Sequence, residues 1–185
     1  MLNRSGWSGL AVLVTLGCLS GAAGPGAAQQ AADEDPLAGL EVSADGVGWS
    51  GVHLGMSLVQ AERRFGTTLA LEPGSKGKCG KFVAGAERDG LNLSVGFPSP
   101  KPGAKIDTLY VQFEGYQVAA DAQRLVASLR GKAPDARYLP DPDLPDRNET
   151  NDPSPKFEVD GKIPVVIHLR TRDGLMISRR DCVLP

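Results

Sequence analysis

Residues 91–97 read LNLSVGF and residues 105–114 read KIDTLYVQFE, and in both stretches apolar and polar side chains alternate. Successive side chains of a strand point to opposite faces of its sheet, so the alternation indicates strands with one apolar and one polar face. Sheets that leave one face open to solvent are typically antiparallel. The two stretches therefore predict an antiparallel sheet that is covered on one side only.

Short turn sequences connect further predicted strands. Arg88-Asp89-Gly90 separates residues 79–87 from residues 91–97, and Asp160-Gly161 and Arg172-Asp173-Gly174 separate strands near the end of the chain. Asp followed by Gly is a strong signal for a tight hairpin turn. The later predicted strands are 137–139, 156–160, 163–170 and 175–182.

Two segments are predicted to be helices. Residues 58–65 carry apolar side chains at helical spacing, Ser57 and Gln60 match a capping box, and Gly66 stands where a helix-terminating glycine is expected. Residues 118–131 carry a second apolar stripe. The expected fold class is therefore α+β, with two helices packed on antiparallel sheet.

One string recurs along the chain. Residues 88–94 read RDGLNLS and residues 172–178 read RDGLMIS. A degenerate tandem αβ repeat would explain the recurrence, and so would chance, since a turn followed by a strand is a common combination.

The first 28 residues have the anatomy of a secretory signal. Arg4 precedes an uncharged apolar run, residues 10–19, and small residues follow up to Ala28. We expect cleavage after Ala28 and a periplasmic or secreted product without a transmembrane segment. In the alternative, Cys18 becomes the lipidated first residue of a lipoprotein. Residues 29–40 are predicted to be a flexible linker, and residues 41–185 a single domain.

Two cysteines remain in the predicted domain. An even number of cysteines in an exported chain favours a disulfide, here between Cys79 and Cys182. The alternative is a catalytic thiol or a metal-binding pair. Neither cysteine lies in a C-x-x-C motif or next to a histidine, so the sequence does not favour this alternative.

The segment 140–155, PDPDLPDRNETNDPSP, is acidic and rich in proline. Its composition is typical of a mobile, solvated loop. Its carboxylates are also the hard oxygen ligands that calcium prefers, which makes a calcium site the alternative. The candidate ligands are Asp141, Asp143, Asp146 and Asp152.

Six arginines are candidates for a partner surface that would engage an acidic partner or an anionic polymer of the cell envelope. They lie around the first helix and at the last hairpin. They are Arg63, Arg64, Arg170, Arg172, Arg179 and Arg180. A net charge of −2 and the lack of a basic stripe argue against a nucleic-acid binder.

No motif for catalysis or for a cofactor stands out. The sequence has no H-E-x-x-H, no G-x-S-x-G and no phosphate-binding glycine loop. The two histidines, His53 and His168, stand apart from any recognisable nucleophile motif. We therefore expect a protein that is not an enzyme and that needs no cofactor.

Residues 52–66, VHLGMSLVQAERRFG, carry a resemblance to known proteins. The order of an apolar residue, Gly-Met-Ser and a helix ending in Phe-Gly resembles the signature of a fold family. That family includes the small β-lactamase inhibitor proteins and the small outer-membrane barrel-assembly lipoproteins. The resemblance implies helices on an antiparallel sheet, export from bacteria, and action by protein–protein contact. Gly55 and Ser57 set a strand-to-helix turn, so the motif is a feature of the fold and not of a functional site. The resemblance therefore assigns no functional residue to this sequence.

These observations lead to three expectations of function. The first is an exported, non-catalytic module that binds another protein through a sheet face and loops, in an inhibitor-like or envelope-assembly-like manner. The alternative is a calcium- or envelope-polymer-binding protein that acts through residues 141–152. The third is an enzyme, an uncharacterised hydrolase. The sequence predicts no oligomeric state.

Overall fold

The computed structural model describes residues 35–43, 46–88, 91–112, 120–170 and 174–183. Within these ranges lie three helices and eleven strands. The helices are α1 (Leu58–Phe65), α2 (Ala120–Lys132) and α3 (Arg180–Val183). The strands are β1 (Leu40–Ser43), β2 (Gly46–Trp49), β3 (Val52–His53), β4 (Glu72–Pro73), β5 (Phe82–Arg88), β6 (Leu91–Phe97), β7 (Thr108–Gln112), β8 (Arg137–Leu139), β9 (Lys156–Val159), β10 (Val165–Arg170) and β11 (Gly174–Arg179).

The strands of the described chain form two antiparallel sheets. The small sheet has the order β1-β2-β3, and the large one has the order β4-β5-β6-β7-β11-β10-β9-β8. The predicted α+β class with antiparallel sheet is confirmed. The small sheet is an element that the sequence does not predict.

The order of elements repeats along the chain. α1 is followed by β4 to β7, and α2 is followed by β8 to β11, and the two four-stranded halves join where β7 pairs with β11. The RDGL string leads into β6, the third strand of the first half, but it leads into β11, the fourth strand of the second half. By the order of elements, the counterpart of β11 is instead β7. The string therefore marks two similar hairpins at different positions of the two halves.

The ends of α1 follow the capping chemistry that its sequence predicts. The Ser57 hydroxyl accepts a hydrogen bond from the Gln60 backbone N–H, and the Gln60 side chain accepts one from the Ser57 backbone N–H. Gly66 ends the helix with φ 71°, a left-handed conformation that glycine adopts at little cost.

One face of the large sheet forms the core. Alternate residues of its strands, such as Leu93, Leu109, Ile177 and Ile167, are fully buried on that face. Their hydrophobic cluster includes side chains of α1, of α2 and of the small sheet; these are Leu58, Ala61, Leu125, Val126, Leu129, Val47 and Trp49. The other face of the sheet is the one that this cluster leaves open, as the alternation predicts.

The structure corrects three boundaries. Leu37 is fully buried and β1 begins at Leu40, so the folded chain includes residues 35–40, which the sequence assigns to a linker. β11 ends at Arg179, and residues 180–183 form α3 instead of continuing a strand. α2 runs through Gly131 to Lys132. The predicted signal peptide, with Cys18, lies outside the described residues.

None of the helices in the described ranges has the length and apolar character needed to cross a membrane.

Candidate binding surfaces

The predicted disulfide is present in the structure. Cys79 and Cys182 are bonded, with their Cα atoms 5.6 Å apart. The bond joins the loop before β5, residues 74–81, to α3. It therefore fixes both segments at one end of the large sheet.

α3 covers part of the open sheet face. Glu158, Val166 and Ser178 form one register row across β9, β10 and β11, and all three are almost fully buried. The Glu158 carboxylate pairs with Arg180 of α3, with an Nε–Oε1 distance of 2.8 Å, and also with Arg137. This end of the face is therefore closed by the protein's own last helix.

The neighbouring row remains accessible. It crosses the sheet from β5 to β8, and most of its side chains are partly exposed. Its members, in order of strand pairing, are Gly85, Ser94, Tyr110, Met176, His168, Lys156 and Leu139. We call this set the open-face row. The Arg170 guanidinium lies 5.5 Å from the centroid of the Tyr110 ring, a cation–π distance.

Two loops flank the open-face row. On one side, the disulfide-linked loop borders a depression of about 280 Å³ that Val83, Tyr110 and Met176 also line. On the other side lies the predicted acidic loop, residues 140–155. The Ser154 hydroxyl of that loop is 2.7 Å from His168 Nε2.

The acidic loop is fastened to the sheet and to α2. Asp152 is buried, and its carboxylate accepts hydrogen bonds from the Tyr138 hydroxyl and from the Ser154 backbone N–H. Glu149 pairs with Arg130 of α2. Burial and the hydrogen bond to Asp152 raise the pKa of Tyr138 to about 12. These contacts give the loop a defined position beside the sheet.

The structure does not assemble the calcium site that the sequence suggests. Asp152 is buried in its contact with Tyr138, and the Asp141 carboxylate accepts the backbone N–H of Asp143. In the part of the chain that the structure describes, no group of three or more His, Cys, Asp or Glu side chains could hold a metal ion. The four candidate ligands, Asp146 included, are therefore not brought together.

The predicted arginine surface is divided. Arg63 and Arg64 lie in the last turn of α1, and Arg170 lies at one end of the β10–β11 hairpin. Arg179 pairs with Val165 at the other end of that hairpin, with Arg180 next to it. Arg172 lies outside the described residues. Arg170 therefore borders the open-face row, whereas Arg179 and Arg180 belong to a different surface.

That second surface is a groove at the end of the large sheet. A cavity of about 700 Å³ is lined by five cationic side chains, and one carboxylate, Asp181, stands among them. The cationic residues are Lys78, Lys105, Lys162, Arg179 and Arg180. A second cavity of about 550 Å³ shares Lys105, Lys162, Gly55 and Ile163 with the first. We call the two together the basic groove.

The charges of the basic groove are only partly compensated. Asp181 binds Arg179 at 2.7 Å and lies 3.9 Å from Lys78, and Glu158 binds Arg180. Lys105 and Lys162 are exposed and form no ion pair with any residue in the described ranges. No pattern in the sequence marks these two lysines, because each is isolated along the chain.

Asp107 lies next in the chain to Ile106, which lines this groove. Its carboxylate is buried and accepts the Gly80 backbone N–H at 3.0 Å, next to the disulfide. Burial raises the pKa of Asp107, and the hydrogen bond from Gly80 and the charge of Arg179 oppose that rise. The carboxylate thus joins the disulfide-linked loop to the start of β7.

The histidines have near partners. His53 Nε2 lies 2.6 Å from the Glu41 carboxylate, and His168 Nε2 lies 2.7 Å from Ser154 Oγ. The second pair is within the distance at which a base can take a proton from a hydroxyl nucleophile. It borders a cavity of about 200 Å³.

No protein-family model, curated protein or solved structure matches the chain.

Proposed function

We propose that the protein is an exported, non-catalytic binding module that presents the open-face row and its two flanking loops to another protein. The observation that carries the proposal is the row itself, which crosses the sheet from β5 to β8 on the face that the core leaves open. Tyr110 and Met176 lie at its centre, and Arg170 borders them. These residue types are enriched in the cores of protein interfaces.

The rigidity of this surface supports the proposal. Each strand of the row is hydrogen-bonded to its neighbours, the disulfide holds one flanking loop, and Tyr138 and Arg130 hold the other. A surface that is ordered before binding loses little conformational entropy when a partner arrives. The arrangement suits an inhibitor-like or envelope-assembly-like role, as the resemblance around Gly55-Met56-Ser57 implies.

We further propose that the protein acts in the periplasm or outside the cell. The disulfide supports this location, because disulfides persist in oxidising compartments and are rare in the cytosol. The signal-like residues 1–28 support it as well. Lipidation at Cys18 is the alternative form of export, and incorporation of labelled palmitate that Cys18→Ala abolishes would identify it.

Site-specific photo-crosslinking tests the binding surface. A photoreactive amino acid is placed at Met176 in the open-face row, and in a control variant at Val59, an apolar residue of α1 that is 39% exposed. We expect a discrete crosslinked partner protein from position 176 in the cells that produce this protein, and none from position 59. The same products from both positions, or none from position 176, would contradict the proposal.

The contact between Ser154 and His168 favours a second candidate function, hydrolysis. His168 would act as the base that removes the proton of the Ser154 hydroxyl, and the serine oxygen would attack an acyl or phosphoryl centre. The bond to the leaving group would break as the protonated His168 returns the proton to it, and water would then release the acyl or phosphoryl group from the serine. Reaction with a fluorophosphonate probe tests it. Labelling that Ser154→Ala and His168→Ala both abolish would support a hydrolase, whereas an unlabelled wild-type protein would exclude this pair as a serine hydrolase centre.

A further inference from the structure

The basic groove has a cationic surface that its own residues compensate only in part. Lys105 and Lys162 line both of its cavities, and no carboxylate in the described ranges pairs with them. Ile163 and Pro164 add apolar surface between the charges. An occupant that fits should carry several negative charges together with an apolar side chain.

The protein carries a segment of that chemistry. Residues 141–146, DPDLPD, hold three carboxylates, and none of the three forms an ion pair within the described part of the chain. Leu144 in their midst is 38% exposed, one of two large apolar side chains that are exposed among the described residues. We call residues 141–146 the acidic tip.

The acidic tip has a defined shape. The Leu144 backbone N–H donates to the Asp141 carbonyl, and the Asp143 backbone N–H donates to the Asp141 carboxylate. Pro142 and Pro145 restrict the backbone further. A segment that is already ordered loses little entropy on binding.

The acidic tip and the basic groove lie at opposite ends of β9. The acidic loop leads into β9 at Lys156, and β9 ends at Val159, directly before the turn that carries Lys162. Four extended residues separate the two ends by roughly 13 Å. The tip of one molecule is therefore well placed for the groove of a neighbouring molecule.

We propose that the acidic tip of one copy binds in the basic groove of a second copy. The tip carboxylates pair with Lys105 and Lys162, and Leu144 packs against Ile163 and Pro164. Two different surfaces meet in this contact, so a bound pair keeps one free tip and one free groove. Such head-to-tail contacts build rings or open chains.

Sedimentation equilibrium of the purified protein tests the proposal. We expect the average mass to rise above the monomer with concentration at low ionic strength. It should return to the monomer at about 1 M salt, where charges are screened beyond about 3 Å. The variants Lys105→Glu/Lys162→Glu and Asp143→Lys/Asp146→Lys should each remain monomeric. All four side chains are exposed, so folding should be unchanged, which thermal unfolding checks.

Mixing the two monomeric variants gives the sharpest result. The first retains an intact tip and the second an intact groove, so the mixture should form one interface and stop at a one-to-one dimer. Leu144→Ser, which changes no charge, should weaken wild-type association at least tenfold. Lys76→Glu/Lys101→Glu reverses two exposed lysines that do not line the groove and should leave association intact.

Several outcomes would overturn the proposal. One is a wild-type protein that stays monomeric at low ionic strength, which would leave the groove to an acidic segment of another protein. Others are association that survives Lys105→Glu/Lys162→Glu, or a mixture of the two variants that does not dimerise. Equal weakening by the Lys76 and Lys101 control would show a general effect of net charge.

Discussion

Arg180 and Glu158 form an ion pair in which the carboxylate is buried and the guanidinium is half-exposed, with 2.8 Å between Nε and Oε1. The pair fastens α3 to the large sheet, and Arg137 reaches the same carboxylate from β8. Glu158 thus links the last helix to the edge strand of the sheet.

Removal of both arginines should leave the buried Glu158 carboxylate without an ion-pair partner. We expect Arg137→Ala/Arg180→Ala to lower the free energy of unfolding by about 3 kcal/mol, near the lower end for a broken buried pair because the guanidinium groups are partly solvated. Adding Glu158→Leu should recover most of the loss, since the carboxylate then no longer needs a partner. Urea unfolding of the three proteins measures this, and a triple variant no more stable than the double one would contradict it.

Two glycines should respond to alanine in opposite directions. Gly66 has φ 71° and open space around its Cβ position, so Gly66→Ala should cost about 1–2 kcal/mol from backbone strain alone. Gly131 lies within α2 with normal helical φ and equally open space. Gly131→Ala should therefore stabilise the protein by about 0.5–1 kcal/mol. Thermal or urea unfolding compares the two variants, and a loss of stability in both would contradict this account.

Tyr138 should ionise well above the ordinary value of 10.0, because its pKa is raised to about 12. Ultraviolet titration should show a late step that Tyr138→Phe removes. Asp152→Asn should lower this pKa only in part, since burial is its larger cause. Between pH 10 and about 12 the unfolded chain loses this proton and the folded protein keeps it, so stability should fall as the pH rises through that window. A step at the ordinary pKa would contradict the contact with Asp152.

The disulfide should contribute strongly to stability. Cys79 and Cys182 are 103 residues apart, and closing a loop of that length is worth about 4–5 kcal/mol in the chain-entropy model. Cys79→Ala/Cys182→Ala should lower the free energy of unfolding by about that amount. A reducing agent should have the same effect on the wild type and none on the double variant. Equal stability of the reduced and oxidised proteins would show that the loop constraint contributes little.

The sequence predicts the elements whose signals are local. The alternation in LNLSVGF predicts β6 correctly, and Ser57, Gln60 and Gly66 predict both ends of α1, because strand and helix periods and caps depend on near neighbours. The disulfide follows from the even cysteine count. Gly131, by contrast, is predicted to end α2, but the helix continues to Lys132.

The small sheet and the two surfaces depend on contacts that have no local signal. β2, Gly46–Trp49, is buried along its whole length and so shows no alternation. Gly48 is required there because a Cβ would collide with the Val52 carbonyl of the next strand. Lys78, Lys105 and Lys162 come from three separate loops, and only the strand order brings them to one groove.

The pairing of β7 with β11 has a consequence for biosynthesis. β11 follows every other described strand in the chain, yet it lies in the middle of the large sheet, between β7 and β10. On a ribosome, the two halves of the sheet therefore cannot join until β11 has emerged. We expect the assembly of the large sheet to be a late step of folding.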